Sequence, residues 1–309
     1  MRVFSTGASG HIGSALVPEL LAAGHEVIGL ARSDASASAL AAAGAQVRRG
    51  DLDDLDGLRE AAAAADGVIH LAFKHELSLS GSPDGFMTAA AHDLRATLAI
   101  GEALAGSGKP FVSTSGTAML AFAALGRAGT EEDKLEGGPR IDSENAVIAL
   151  AQRGVRSSVV RLAPTVHSSL DHHGFVPSLI AMARKNGFAA YVGDGANRWP
   201  ALHTLDSARL YRLALETAPA GVRLHGVGEE GIPFRDIAEA IGRGLGIPAK
   251  SISAEDAGKY LGFLATFAQL DNPTSSVRTR EQLGWRPTHP GLLADLEVVY
   301  FQTPAAARK

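Results

Sequence analysis

The first thirteen residues place three glycines at a fixed spacing between a short apolar segment and an amphipathic one. Residues 3–5 predict a strand, Thr6-Gly7-x-x-Gly10-x-x-Gly13 follows, and residues 14–23 predict a helix. Gly7 allows a tight turn, Gly10 lets backbone N–H groups approach a pyrophosphate, and Gly13 lets the helix pack close to the sheet. The anion would lie at the helix N-terminus, which favours negative charge. The spacing predicts a dinucleotide-binding unit, with a ligand-free glycine turn as the alternative.

Strand and helix patterns alternate along the rest of the chain. Strands are also predicted at residues 25–31, 46–49, 67–72, 109–113, 155–162 and 222–227, and helices at 35–43, 54–65, 86–105 and 142–152. Strands separated by helices require crossover connections, so we expect an α/β fold with a Rossmann-type doubly wound parallel sheet.

The pattern is interrupted twice, which predicts a second lobe. We expect residues 1–163, with 201–228 returning to them, to form the dinucleotide-binding core. Residues 164–200 and 229–309 would form a smaller C-terminal substrate lobe over the carboxyl edge of the sheet, where ligands of such folds bind.

Composition excludes several classes of function. The formal charge of −4 gives no basic surface for nucleic acid. We expect no membrane partner, because no apolar run is long enough to span a bilayer, and no signal peptide, because the first strand begins at once. A chain without cysteine has no disulfide, thiolate metal site or cysteine nucleophile, which fits a cytoplasmic location. Asp171, His172 and His173 lack further ligand spacing, so no metal is expected.

The end of the second predicted strand bears on the cofactor. Sites that prefer NAD place an acid there, whereas this chain has Arg32, which is placed to meet a 2′-phosphate. His11 and Ser33 could add to that pocket, and Asp34 would oppose it. NADP(H) is therefore favoured over NAD(H), unless Arg32 is simply a solvated residue.

Several further segments follow the predicted strands in a recognisable order. They are Asp51-Leu52, residues 68–72, 111–117, 160–164, 199–208 and 281–287. With the glycine motif they resemble an extended short-chain dehydrogenase/reductase of the NAD-dependent epimerase/dehydratase family over nearly the whole chain. The resemblance implies a homodimer through the helices at 86–105 and 142–152, and a small-molecule substrate.

The resemblance and the residue chemistry together predict the site residues. The catalytic serine would be Ser115. The cofactor would contact Gly7, Ser9, Gly10, His11, Ile12, Arg32, Ser33, Asp51, Leu52, Leu71, Ala72, Phe73, Lys74, Ser113, Pro164 and Val166.

The chain departs from the family at the tyrosine and lysine that normally handle the proton. None of its four tyrosines has a lysine four residues later, and Arg140 and Glu144 stand where the pair belongs. Their spacing predicts an ion pair on one helix face, which is either a rebuilt active site or a surface salt bridge. Arg140 cannot release a proton but can stabilise an alkoxide. Glu144 could exchange a proton if burial raised its pKa.

Other residues could supply the missing chemistry. His167 could transfer a proton or make a loop hydrogen bond. Lys74 could reach the cofactor ribose, and Thr117 could bind a carbonyl oxygen. Phe175 and Trp199 could form apolar walls for the substrate, although aromatic residues more often lie in a core.

The substrate is less constrained by the sequence. Arg184, Lys185 and Arg198 could bind the diphosphate of a nucleotide sugar or lie on the surface, and the short lobe favours a smaller substrate. We therefore expect an NADP(H)-dependent oxidoreductase acting on a small carbonyl or imine. The alternatives are a nucleotide-sugar epimerase or dehydratase and a non-enzymatic dinucleotide-binding redox sensor.

Overall fold

The computed structural model describes residues 1–78, 82 and 84–301, which contain one large sheet and two small ones. The strands are β1 (Arg2–Thr6), β2 (Glu26–Ala31), β3 (Gln46–Arg49), β4 (Gly67–His70), β5 (Pro110–Gly116), β6 (Arg156–Leu162), β7 (Thr165–His167), β8 (Ala189–Val192), β9 (Arg198–His203), β10 (Val222–Gly226), β11 (Glu229–Pro233) and β12 (Ala249–Ile252). Seven of them form a parallel sheet in the order β10-β6-β5-β4-β1-β2-β3. The predicted α/β Rossmann-type fold is confirmed.

Helices cover both faces of the large sheet. Together with the helices of the smaller lobe, the α-helices of the described residues are α1 (His11–Ala22), α2 (Asp34–Ala42), α3 (Leu55–Ala64), α4 (His75–Ser78), α5 (Gly85–Leu104), α6 (Ala118–Phe122), α7 (Ile141–Ala149), α8 (Phe175–Asn186), α9 (Thr204–Thr217), α10 (Phe234–Leu245), α11 (Ala257–Leu261), α12 (Val277–Leu283) and α13 (Leu292–Val298). Leu16 of α1, Leu40 of α2 and Tyr211 of α9 pack in one buried core. Leu58 of α3 and Ile100 of α5 pack in the other. Among the described residues, no helix is both long and apolar enough to cross a membrane.

Two observed boundaries matter for the site. Helix α1 begins at His11, three residues before the prediction, because Gly10 already adopts extended N-cap geometry with ψ −174°. Strand β5 continues to Gly116 instead of ending at residue 113, because its last residues pair with β6, Ser115 opposite Arg161. Ser115 therefore lies on a strand and not on a loop.

The smaller lobe has its own sheets and its own core. Strands β7, β9 and β11 form one sheet, and β8 pairs with β12. Trp199, Phe234 and Leu292 are buried in its core. Because β9 extends to His203, residues 201–203 lie in this sheet, although the sequence prediction placed them in the dinucleotide-binding core. Residues 302–309 of the predicted lobe lie outside the described residues.

Gly13→Ala should destabilise the chain even though alanine is the better helix former. A Cβ on Gly13 would lie 2.3 Å from the Gly7 carbonyl oxygen, so backbone would have to move. We expect the free energy of unfolding, measured by urea denaturation, to fall by about 2 kcal/mol. Gly258→Ala is the control, because a Cβ there meets nothing within 4 Å. Equal stability of the two variants would contradict the close packing of α1 on the glycine turn.

Candidate functional site

The site begins at the crevice between β1 and β4, where the strand order reverses. From here the chain continues to β2 and β3 on one side and to β5 and β6 on the other. Gly7 has φ +68°, and a Cβ on it would lie 2.7 Å from the Ala72 nitrogen. The turn and the segment after β4 therefore meet at their backbones, in the crevice where folds of this type bind ligands.

The N-terminus of α1 fits a phosphate. Gly10 is its N-cap, and within the described chain no side chain caps it and no acid lies in its first turn. The N–H groups of a first helical turn have no partner within the helix, and here no described side chain caps them, which suits an anion. Of the predicted cofactor contacts, His11 and Ile12 lie in this first turn, and Ser9 directly precedes the N-cap.

A chain of buried polar groups links the glycine turn to the next strands. The Thr6 hydroxyl lies 2.6 Å from His70 Nδ1, and His70 Nε2 lies 3.2 Å from Asp93 Oδ1. The Thr6 oxygen also accepts from the Ala72 N–H at 3.3 Å. The Nε2–H tautomer of His70 satisfies all of these contacts, with Thr6 donating to Nδ1 and His70 donating to Asp93.

Arg140 is the last member of this buried polar chain, which runs from Thr6 through His70 and Asp93. Its Nη1 lies 3.1 Å from Asp93 Oδ1, and its Nη2 donates to the Thr114 carbonyl at 2.6 Å. The guanidinium carbon also lies 4.4 Å from the centre of the Phe73 ring. These contacts fix a positive charge at the carboxyl ends of β4 and β5.

The backbone of Arg140 is strained. In the described part of the chain, only Arg140 (φ 68°) and Ala124 (φ 48°) combine a side chain with a left-handed conformation. Such a conformation costs of order 1–3 kcal/mol and persists only where the surroundings enforce it. The ion pair, the carbonyl contact and the aromatic contact of Arg140 supply that enforcement.

Asp93 stays ionised beneath Arg140. Burial opposes its charge, but the Arg140 guanidinium and the hydrogen bond from His70 outweigh burial and hold the pKa of Asp93 below its usual range. Asp93 therefore acts as a fixed counter-charge, and the Arg140–Asp93 pair keeps its charge separation across neutral pH.

The predicted pair between Arg140 and Glu144 is wrong. Glu144 Oε1 accepts from the buried Arg161 and from the partly buried Arg223, each at 2.6 Å. Burial opposes its charge, but the two guanidinium groups keep the pKa of Glu144 below its usual range. Glu144 is thus a structural anion, and the proposed rise of its pKa does not occur.

Ser115 has a hydroxyl that no described residue uses. The residue is 4% exposed, and its Oγ has no hydrogen-bond partner among the described residues. Ser113 is buried two residues earlier on the same strand. Thr117 is also buried, and its hydroxyl accepts from Asn272 Nδ2 of the lobe at 3.2 Å. Burying an unpaired hydroxyl is costly, which makes Ser115 a candidate for a ligand contact.

His167 is held by a carboxylate from the C-terminal helix. Its Nδ1 lies 2.7 Å from Asp295 Oδ2, and its buried Nε2 has no partner within the described chain.

His11 does not join the Arg32 pocket, because its Nε2 lies 2.8 Å from the Thr204 hydroxyl and the ring faces the lobe. Burial lowers the pKa of His11 more than nearby Asp171 raises it.

The other end of the crevice carries charged pairs. Arg32 is exposed and forms an ion pair with Glu76. Lys74 lies 2.6 Å from Asp53 Oδ2 and 3.2 Å from Asp51 Oδ1, and these hydrogen bonds raise its pKa against the effect of burial.

Two nearby residues have structural contacts. The Ser33 hydroxyl caps α2, and Leu52 is buried in the core under α3.

The remaining predicted residues divide between the crevice and the lobe. Leu71, Ala72 and Phe73 follow β4, Pro164 lies between β6 and β7, and Val166 lies on β7. Trp199 is only 1% exposed, donates its indole N–H to the Phe267 carbonyl and lies beside Phe175. Trp199 therefore belongs to the lobe core and does not line a substrate surface.

One histidine cluster brings possible metal ligands together. His203, Asp206 and His289 place ligand atoms within 4.8 Å of one another in the described chain. However, Asp206 already accepts from the backbone N–H groups of Thr288 and His289. The carboxylate thus anchors the segment before α13, as expected for a structural residue.

The sequence prediction missed His70, Asp93 and Asp295. Asp93 had a detectable signal, because helical spacing places it on the same face as Ala89, Ala96 and Ile100, all of which are buried. An acid on an apolar helix face needs a partner. For Asp295, no local pattern identifies His167 as its partner, since the two lie on distant parts of the chain.

Comparisons with known proteins bear on the family and the fold. Residues 3–225 match the profile described as the NAD dependent epimerase/dehydratase family. An uncharacterized protein of Schizosaccharomyces pombe is 47% identical over 96% of this chain and 98% of its own. UDP-glucose 4-epimerase of Streptomyces lividans is 25% identical over 95% and 92%. A dTDP-glucose 4,6-dehydratase structure from Streptomyces venezuelae, with NAD bound, has a TM-score of 0.76 at 21% identity and covers 97% and 95%.

Glu144→Gln tests the structural reading of that carboxylate. The change leaves Arg161 and Arg223 buried without their anion, so the free energy of unfolding should fall by about 3–5 kcal/mol. Chemical denaturation measures it, with exposed Glu136→Gln as the matched control. Unchanged stability together with lost turnover would instead assign Glu144 to the reaction.

Proposed function

The chain belongs to the NAD dependent epimerase/dehydratase family, and we propose that it is an NADP(H)-dependent oxidoreductase that reduces a small carbonyl or imine. One observation carries the proposal. The Arg140 guanidinium is held against the Thr114 carbonyl of β5, and the next residue of that strand, Ser115, has a hydroxyl that is unpaired among the described residues. A positive charge and a free hydroxyl at one sheet edge suit an oxygen that becomes an alkoxide.

The crevice residues would hold the dinucleotide. The first turn of α1 would bind the pyrophosphate through Gly10, His11 and Ile12, and the glycine turn leaves room for its approach. Asp51 would lie near the adenine end. The bound dinucleotide supplies the hydride.

Arg32 supports the preference for NADP(H). Its side chain is 61% exposed at the end of β2, and Glu76 is its partner. In the proposal, the 2′-phosphate replaces Glu76, because an arginine fork binds a phosphate at least as well as a carboxylate.

Three side chains of this protein would act on the substrate oxygen, each in a different role. Ser115 donates a hydrogen bond that orients the carbonyl. Arg140 stabilises the growing negative charge without releasing a proton. The proton would come from Nε2 of protonated His167, directly or through water, while the Asp295 carboxylate holds the Nδ1–H and stabilises the charged ring.

The named relatives favour a second candidate. UDP-glucose 4-epimerase and dTDP-glucose 4,6-dehydratase share the fold, so a nucleotide-sugar epimerase or dehydratase is the alternative. Such an enzyme would return the hydride to its own substrate and show no net NADPH consumption. A homodimer and a cytoplasmic location stay predictions.

Arg140→Gln should lower kcat/KM for carbonyl reduction by about 10²-fold, because one donor to the developing oxyanion is lost. Ser115→Ala should lower it in the same direction. NADPH oxidation across a panel of ketones and imines measures both effects, and exposed Arg243→Gln is the control. Full activity in both site variants would contradict the proposed roles.

Arg32→Ala should weaken NADPH binding about tenfold and leave NADH binding unchanged, because only NADPH carries the 2′-phosphate. Glu76→Gln should strengthen NADPH binding, since it removes the competing carboxylate. Equilibrium fluorescence titration measures both, with Arg48→Ala on neighbouring β3 as the control. Equal losses for the two dinucleotides would remove the basis for NADP(H) preference.

A further inference from the structure

A cavity of about 370 Å³ lies beyond the end of β5, between α6 with its following segment and residues 271–273. Its apolar wall includes Leu120, Ala121, Leu125 and Pro273. Its volume falls in the range of small-molecule sites, which are mostly apolar with a few polar groups.

The first cation of this cavity, Arg198, is paired with a carboxylate. Arg198 donates from Nε and Nη2 to the two oxygens of Asp271 at 3.0 and 2.7 Å. Its backbone N–H donates to the same carboxylate at 2.8 Å. Such bidentate pairs are among the strongest charged hydrogen bonds in proteins.

The second cation, Arg127, is also paired with a carboxylate. Arg127 donates to both oxygens of Asp133, at 2.9 and 2.5 Å, and to the Ala128 carbonyl. The Arg127 guanidinium holds the pKa of Asp133 near 2, so the carboxylate stays charged. A diphosphate entering the cavity would be repelled by the Asp271 carboxylate, which lines the cavity, and by the nearby Asp133 carboxylate, whereas an uncharged ligand would not be repelled.

The cavity is joined to the strand that carries Ser115. Helix α6 follows β5 directly, and Asn272, which lines the cavity, donates to the Thr117 hydroxyl. Gly129 pairs with the 273–275 segment through two backbone hydrogen bonds, which closes the wall. A molecule seated here would extend from the sheet edge where the reaction is proposed.

We propose that this cavity binds the apolar body of a small uncharged carbonyl substrate and discriminates against nucleotide diphosphates. The inference rests on the proposed function for the identity of the reacting group. The ligand preference follows from the apolar wall and from the two arginines, each of which is already paired with an aspartate.

The test measures binding in place of turnover, so that it does not depend on activity. Fluorine NMR would follow 4-fluoroacetophenone binding to the full chain in the presence of NADP⁺, which cannot reduce the ketone. Ala121→Trp fills the cavity and should weaken ketone binding at least tenfold, while the NADPH affinity stays the same. Ala123→Trp is the matched control, because Ala123 is exposed and does not line the cavity.

A second variant tests the charge argument. Asp271→Asn frees Arg198, so the affinity for UDP should rise at least tenfold over the wild-type chain. Exposed Asp256→Asn should leave it unchanged.

Three results would each overturn the inference. The first is ketone binding that is absent from the wild type or insensitive to Ala121→Trp. The second is UDP binding to the wild type that Ala121→Trp abolishes. The third is UDP affinity that Asp271→Asn does not raise. If the ketone binds as expected and no reduction occurs, the proposed function fails while the ligand preference stands.

Discussion

The ion pair between Arg140 and Asp93 is the constraint on which the candidate site depends. It holds a guanidinium against the Thr114 carbonyl and the Phe73 ring, although Arg140 adopts a strained left-handed backbone. Asp93 is in turn held by His70, and His70 by Thr6 at the base of the glycine turn. One buried polar chain therefore ties the cofactor crevice to the charge that would act on the substrate.

A second buried ionic cluster lies close in sequence and has a different role. Glu144 joins Arg161 of β6 to Arg223 of β10. It thereby stabilises the outer strands of the sheet beside α7. The two arginine–carboxylate networks use different side-chain partners, so a change at Glu144 should mainly affect stability and a change at Arg140 should mainly affect chemistry.

The sequence was sufficient for the fold and for the location of the crevice, because the glycine spacing and the strand–helix alternation are local patterns. The sequence did not identify Asp93 as the partner of Arg140. Helical spacing predicted Glu144, but Arg140 is the N-cap residue that precedes α7, and its left-handed backbone directs the side chain toward β5. Asp93 belongs to a helix far away in sequence, so this pairing depends on tertiary packing. Trp199 was misplaced for a related reason, since an aromatic residue on a strand fits a lobe core as well as a substrate wall.

A double-mutant cycle tests the central claim most directly. Single-turnover oxidation of bound NADPH by a reducible ketone would be measured in Asp93→Asn, Arg140→Gln and the double variant. If Asp93 acts by holding Arg140, Asp93→Asn slows the reaction, and the double variant is no slower than Arg140→Gln alone. An unchanged rate in Asp93→Asn, or losses that multiply in the double variant, would contradict the account.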